Sequence, residues 1–171
     1  MKSLKLIDRP RSIPLESYES LKQKLLTALL KKDAIKSVYQ LGSVKNPGIS
    51  DLDILCIFEN DSELKENPLP VLSGIEQDIL THSLFGVREK DLAQALDLTY
   101  FTNFKLLGGH DFQITNRHNE HKSDELNTQV ALEFMCILYI SLSKQIELGI
   151  VKWRAFLLEV KALDFDLKLL K

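Results

Sequence analysis

Residues Leu52 to Phe58 read LDILCIF. After Asp53 the run is continuously apolar and lacks the polar alternation of a strand with one wet face. It is expected as a strand covered on both sides, and so as a central member of a sheet. A chain holding such a strand must supply a layer for each face. With 171 residues, of which 44% are hydrophobic and 27% charged, this one can build one large domain or two small ones around a substantial core.

The covering layers can be sought on either side of that run. Leu15, Tyr18, Leu21, Leu25 and Leu29 recur at three- and four-residue steps with lysines opposite, which predicts an amphipathic helix from about Pro14 to Lys32. Pro14 suits a first helical turn. Ser37 to Leu41 is a short β-prone piece, and Pro47-Gly48 marks a turn between it and the apolar run. Glu59 to Pro70 is an acidic loop broken by prolines. Val71 to Asp78 is expected as a short helix, Ile79 to Val87 as a third strand and Asp91 to Leu96 as a further helix. Asn103 to Leu107 leads into a break at Gly108-Gly109. Residues 1 to 13 form an extended lead-in, and Gln113 to Lys122 reads as a polar linker.

Beyond the linker the pattern becomes helical. Leu126 to Leu148 and Val151 to Leu170 read as two helices joined at Gly149. The fold class is therefore α+β: a small mixed sheet with flanking helices over residues 1–112, followed by a helical C-terminal part over 123–171. The chain stops at DLKLLK without a helix-ending signal, so either the last helix frays or the sequence belongs to a longer protein. Leu163, Phe165, Leu167, Leu169 and Leu170 call for a partner surface, from this chain or from another such as a second copy or a protein partner.

Composition excludes several classes. A net charge of -2 and a pI near 6.1 give no basic excess, so any nucleic-acid contact is local. The opening MKSLKLIDRPRSIPLE is too polar for a signal peptide. The longest apolar stretch, Val130 to Leu142, carries Glu133 and falls short of the roughly 20 residues a membrane span requires. It is expected as a buried helix, with no membrane partner. Cys56 and Cys136 sit in apolar runs without a second Cys or His at metal-ligand spacing, and read as reduced core thiols of a cytoplasmic protein.

The chemistry concentrates in LGSVKNPGISDLD, Leu41 to Asp53. Side chains alternate along a strand, so Asp51 and Asp53 project to the same face. Two carboxylates that close repel each other, and a divalent ion between them removes the repulsion. Hard oxygen ligands suit Mg²⁺, which takes one or two carboxylates plus substrate phosphates. Gly42 lets the backbone approach a ligand closely. Ser43 offers a hydroxyl and an N–H to phosphate oxygens, and Lys45 adds positive charge nearby. Against this stands a plain surface turn, in which Ser50 or Asp51 caps a bend and Asp53 is solvated.

The ordered combination of an apolar residue, Gly-Ser, a Pro-Gly turn and Ser-Asp-apolar-Asp entering a strand resembles the signature of the nucleotidyltransferase superfamily, which includes DNA polymerase β and the minimal and antibiotic nucleotidyltransferases. Leu41, Gly42, Ser43, Asp51, Leu52 and Asp53 carry the match, with Ser50 before the first aspartate as in small members. FKLLGGHDF, Phe104 to Phe112, is similar to the segment that closes the catalytic domain there. The resemblance implies that Asp51 and Asp53 hold catalytic Mg²⁺ (or Mn²⁺), and that Gly42, Ser43, Lys45 and Ser50 bind the NTP. An acceptor hydroxyl on a small molecule, a protein or an RNA end would take the nucleotide and pyrophosphate would leave.

One departure bears on activity. Superfamily members often carry a third carboxylate on a later strand. ILTHSLFGV, Ile79 to Val87, has none, and His82 stands about where it is expected. Three arrangements follow: Asp78 fills the role, a base such as Glu125 or Glu133 comes from the helical part, or the domain is catalytically silent and binds a nucleotide or a protein. His82 alone reads as a core or rim histidine, and His110, His118 and His121 as solvated loop residues. Lys105 reads as solvated too.

Overall fold

The computed structural model describes residues 4–62, 67–98, 103–114 and 124–170. They form two compact units, Ile13–His121 and Met1–Ser12 together with Lys122–Lys171.

The first unit is a mixed sheet between helices. Helix α1, Leu15–Leu29, begins after Pro14, whose extended backbone takes the N-cap position. Its periodic residues Tyr18, Leu21, Leu25 and Leu29 are fully buried. Burial of such a side chain contributes about 1.5–3 kcal/mol relative to exposure. Strand β2, Ile35–Leu41, pairs antiparallel with β3, Asp53–Phe58. Helix α2, Gly74–Ile79, precedes β4, Phe85–Arg88, which pairs parallel with β3. After a 3-10 turn at Glu89–Asp91 and helix α3, Leu92–Leu98, strand β5, Phe104–Gly109, returns antiparallel to β2. The order is β4-β3-β2-β5.

β3 is interior and covered on both faces. Ile54 and Cys56 meet Tyr18, Leu21, Leu25 and Leu29 of α1 in one core. Leu55 and Ile57 meet Tyr39, Leu41, Leu92 and Leu96 in the other. The α+β class, with a mixed sheet, flanking helices and a helical C-terminal part, is the architecture observed.

Two expectations for this unit are revised. The strand over Ile79 to Val87 shortens to Phe85–Arg88, because Ser73 and Glu76 form a capping box that starts a helix and carries Ile79 into its last turn. Gly108-Gly109 does not break the chain but ends β5, with a register shift opposite Val38/Tyr39. Gly109 has φ +92, and a Cβ there would lie 2.2 Å from the Lys36 carbonyl oxygen, so only glycine fits.

The second unit holds α4, Asp124–Leu148, then β6, Ile150–Lys152, and α5, Trp153–Leu169. Gly149, at φ +70, makes the turn out of α4. The lead-in expected at residues 1–13 contains strand β1, Lys5–Ile7, which pairs parallel with β6, with Leu6 opposite Val151. That ladder groups residues 1–12 with the helices. Val130 to Leu142 does lie in a helix, but Ile137, Tyr139 and Ile140 are exposed instead of buried. Both cysteines are free, Cys56 buried and Cys136 exposed. No described helix is long and apolar enough to cross a membrane.

Candidate metal centre

The link from β2 to β3 is held from beneath by Tyr18. Its hydroxyl accepts from the Gly48 N–H at 2.9 Å and donates to the Ser50 carbonyl at 2.6 Å. Within the turn, the Ile49 and Ser50 N–H groups donate to the Asn46 carbonyl, and the Ser50 Oγ accepts from the Asn46 N–H at 3.2 Å. The Leu52 N–H donates to the carbonyl of Ile79 at 3.0 Å, tying the start of β3 to the end of α2. Leu52 is fully buried. Its neighbours Asp51 and Asp53 therefore face the opposite way, and both remain half-buried at the rim.

The chain leaving α2 completes the cluster. The Thr81 hydroxyl donates to Asp51 Oδ2 at 3.2 Å. His82 Nε2 lies 2.7 Å from Asp53 Oδ1 and 3.8 Å from Asp51 Oδ2. Its Nδ1 lies 2.7 Å from the Ser83 carbonyl, and its ring tilts against Phe85 at 5.3 Å. Among the described residues, Asp51, Asp53 and His82 are brought together with donor atoms within 4.8 Å of one another, a set that could hold a metal ion.

Electrostatics fit this placement. The hydrogen bond to Asp53 holds the His82 pKa up at about 9, against the opposing effect of burial; the Ser83 carbonyl and the charges of Asp53 and Asp51 add to the rise. Without a metal, an imidazolium is the cation between the carboxylates.

The other expected site residues divide. Leu41 pairs with Asp53, so Gly42 and Ser43 leave β2 at the end of the sheet where Asp53 enters β3. Gly42 has φ +62, open space where a Cβ would stand, and its N–H donated to the Asn103 carbonyl at 2.8 Å. Ser43 and Lys45 are exposed beyond it. Ser50 is buried within the turn that its hydroxyl and carbonyl help to hold.

Asp78 lies on α2, outside the converging set. Glu125 and Glu133 lie exposed on α4, and Glu133 accepts from Gln129 at 3.0 Å. Lys105 pairs with Gln40, on the side of the sheet that packs on α1, and its charge acts on Glu19. His110 stacks edge-on against Phe112 at 4.7 Å, while His118 and His121 lie outside the described residues. Burial pushes the Cys56 thiol up to about 12, which removes it from nucleophilic chemistry at neutral pH.

Sequence reading set His82 aside from the catalytic residues. Its one signal was its place in ILTHSLFGV, where the third carboxylate was sought. Thr81 and the clamp made by Tyr18 carried no sequence signal beyond helical spacing for Tyr18. Comparison of the chain with protein-family models, with curated proteins and with solved structures finds no match.

Proposed function

We propose that the Ile13–His121 unit is a divalent-metal-dependent nucleotidyltransferase with the fold of the superfamily its motif resembles. It would move a nucleoside monophosphate from an NTP to an acceptor hydroxyl. The observation that carries this reading is the convergence of Asp51, Asp53 and His82 at the sheet end where Gly42-Ser43 departs. A plain surface turn does not require a second segment, Thr81 to Ser83, to deliver a hydroxyl and an imidazole onto its two aspartates.

The donor set fits a divalent ion, Mg²⁺ or Mn²⁺. Bound there, it would neutralise phosphate charge and stabilise the attacking and leaving oxygens. The chain's own residues position the partners. Leu52, held to Ile79, aims the two carboxylates to one side. The left-handed Gly42 turns the backbone out of β2, so that Ser43 and Lys45 stand exposed to receive the triphosphate. Ser50 and Tyr18 hold the turn and bear on the NTP only through it. The acceptor oxygen attacks the α-phosphorus, its proton passes to water, and pyrophosphate leaves. Acceptors consistent with the charge balance are a small molecule, a protein hydroxyl or an RNA end. A cytoplasmic setting, and a homodimer or protein partner engaged through α4 and α5, belong to the same proposal.

A second reading has an observation of its own. His82 pairs with Asp53 at 2.7 Å and can neutralise the carboxylates without a metal, as a catalytically silent nucleotide- or protein-binding domain would allow. Incubation with α-labelled NTPs, Mg²⁺ or Mn²⁺ and cell extract as acceptor source separates the two. Transfer by the wild type and not by the Asp51→Ala/Asp53→Ala variant supports the enzyme. Metal-dependent NTP binding without transfer supports the silent domain, and neither transfer nor binding removes both.

A further inference from the structure

We propose that His82 is a direct metal ligand, and that the site therefore favours first-row transition ions, Mn²⁺ among them, over Mg²⁺. This deepens the metal-dependent reading above and concerns the same site.

The argument starts from the ring's second nitrogen. Nδ1 lies 2.7 Å from the Ser83 backbone carbonyl, which can only accept, so Nδ1 carries a hydrogen. In the neutral ring Nε2 is then a bare lone pair. It faces Asp53 Oδ1 at 2.7 Å and Asp51 Oδ2 at 3.8 Å, both acceptors. Nε2 and the two carboxylates therefore converge on one point, where either the proton on Nε2 or a metal ion that replaces it sits among them. A backbone carbonyl on one ring nitrogen and the ion on the other is the usual outer-sphere arrangement of metal-bound histidines. The spacing is suitable as well. Neighbouring donors around an octahedral ion with bonds of about 2.1 Å stand about 3.0 Å apart. The observed 2.7 and 3.8 Å bracket that value.

The donor set then decides which ion. Two carboxylates suit Mg²⁺ and Mn²⁺ alike. An imidazole nitrogen adds little for Mg²⁺, a hard ion that prefers oxygen and holds its waters, and favours the transition series. A third carboxylate at this position would leave the two ions close competitors. The histidine separates them.

The test is direct metal binding to the full chain after chelation and dialysis, with no nucleotide present. Free Mn²⁺ is followed by its electron paramagnetic resonance signal, with Mg²⁺ as competitor. The wild type should bind Mn²⁺ at least about tenfold more tightly than Mg²⁺, and His82→Gln should lose about tenfold or more in Mn²⁺ affinity while Mg²⁺ affinity changes little. His82→Asp should narrow the gap between the ions. Electron spin-echo modulation of Mn²⁺ on the wild type needs no variant, and should show coupling to one imidazole nitrogen. Absence of that coupling, or equal affinity for the two ions, overturns the proposal. The transferase reading stands or falls separately: label transfer with Mg²⁺ in a protein lacking the nitrogen coupling would keep the enzyme and remove His82 as a ligand.

Discussion

The two units handle apolar residues in opposite ways. In Ile13–His121 the sheet has a core on each face, and Tyr18, Leu21, Leu25, Leu29, Leu52, Ile54 and Ile57 are fully buried. In the helical unit, the apolar residues of α4 are not gathered on one covered face, and Tyr139 is 74% and Ile140 64% exposed. The difference shows where geometry is fixed. Asp51, Asp53 and His82 rest on three tethered segments: the turn clamped by Tyr18, the strand held by Leu52, and the end of α2. Such constraint from several directions is what a site needs to hold charged groups close together. The helical unit instead leaves large apolar side chains of α4 and α5 exposed.

The comparison can be broken by making the same kind of deletion in each unit. Leu25→Ala removes buried atoms from the core between α1 and the sheet and should cost about 2–5 kcal/mol by urea unfolding. Ile140→Ala should stay within about 0.5 kcal/mol, as an exposed position does. A comparable loss at Ile140 would mean that α4 is covered in solution. If that loss faded on dilution, a second copy would be the cover.

Within the sheet unit, support for the site can be removed without touching it. Tyr18→Phe deletes one hydroxyl and leaves the Gly48 N–H and the Ser50 carbonyl, buried around it, without that partner. A stability loss of about 1–3 kcal/mol is expected. Metal affinity should fall with it, since Asp51 follows Ser50 directly. Unchanged affinity in a folded Tyr18→Phe protein would show that the clamp serves the fold alone. Gly42→Ala is smaller. The new Cβ meets nothing within 4 Å, so only the left-handed backbone is strained, at about 1–2 kcal/mol.

Much of the sheet unit was legible because its signals are periodic or continuous. The apolar run at Ile54 to Ile57 implied a doubly covered strand, the leucine spacing implied α1, and alternation placed Asp51 and Asp53 on one side. The misses have local causes. The apolar letters of Ile79 to Val87 span the end of α2, an irregular stretch and β4, and the capping box at Ser73 decides where the helix runs. β1 is three residues long and mostly exposed, and its partner β6 lies far along the chain, so no local pattern reveals the pairing. His82 acquires meaning only by contact, because it sits in an irregular segment whose approach to Asp53 no spacing rule encodes.

The smallest predicted effect contrasts one carboxylate from each unit by the sign of its pH dependence. In the sheet unit, Lys24 hydrogen-bonds Glu76 at 2.7 Å, and the Ser73 N–H donates to the same carboxylate, so the Glu76 pKa is lowered on folding. Below the ordinary glutamate range the unfolded chain takes up this proton before the folded one does. The stabilisation is therefore present above that range and is lost as pH falls through the depressed folded value. In the helical unit, burial raises the Asp166 pKa, and its Oδ2 is buried without a hydrogen-bond partner among the described residues. Here the folded chain keeps the proton longer, so stability declines as pH rises from the ordinary aspartate value through the raised one. Glu76→Gln should be less stable than the wild type near neutrality, with the deficit vanishing in acid. Asp166→Asn should gain stability near neutrality and match the wild type in acid. Urea midpoints for the three proteins across the acid-to-neutral range read both slopes, and a shared sign would remove the electrostatic contrast between the two carboxylates.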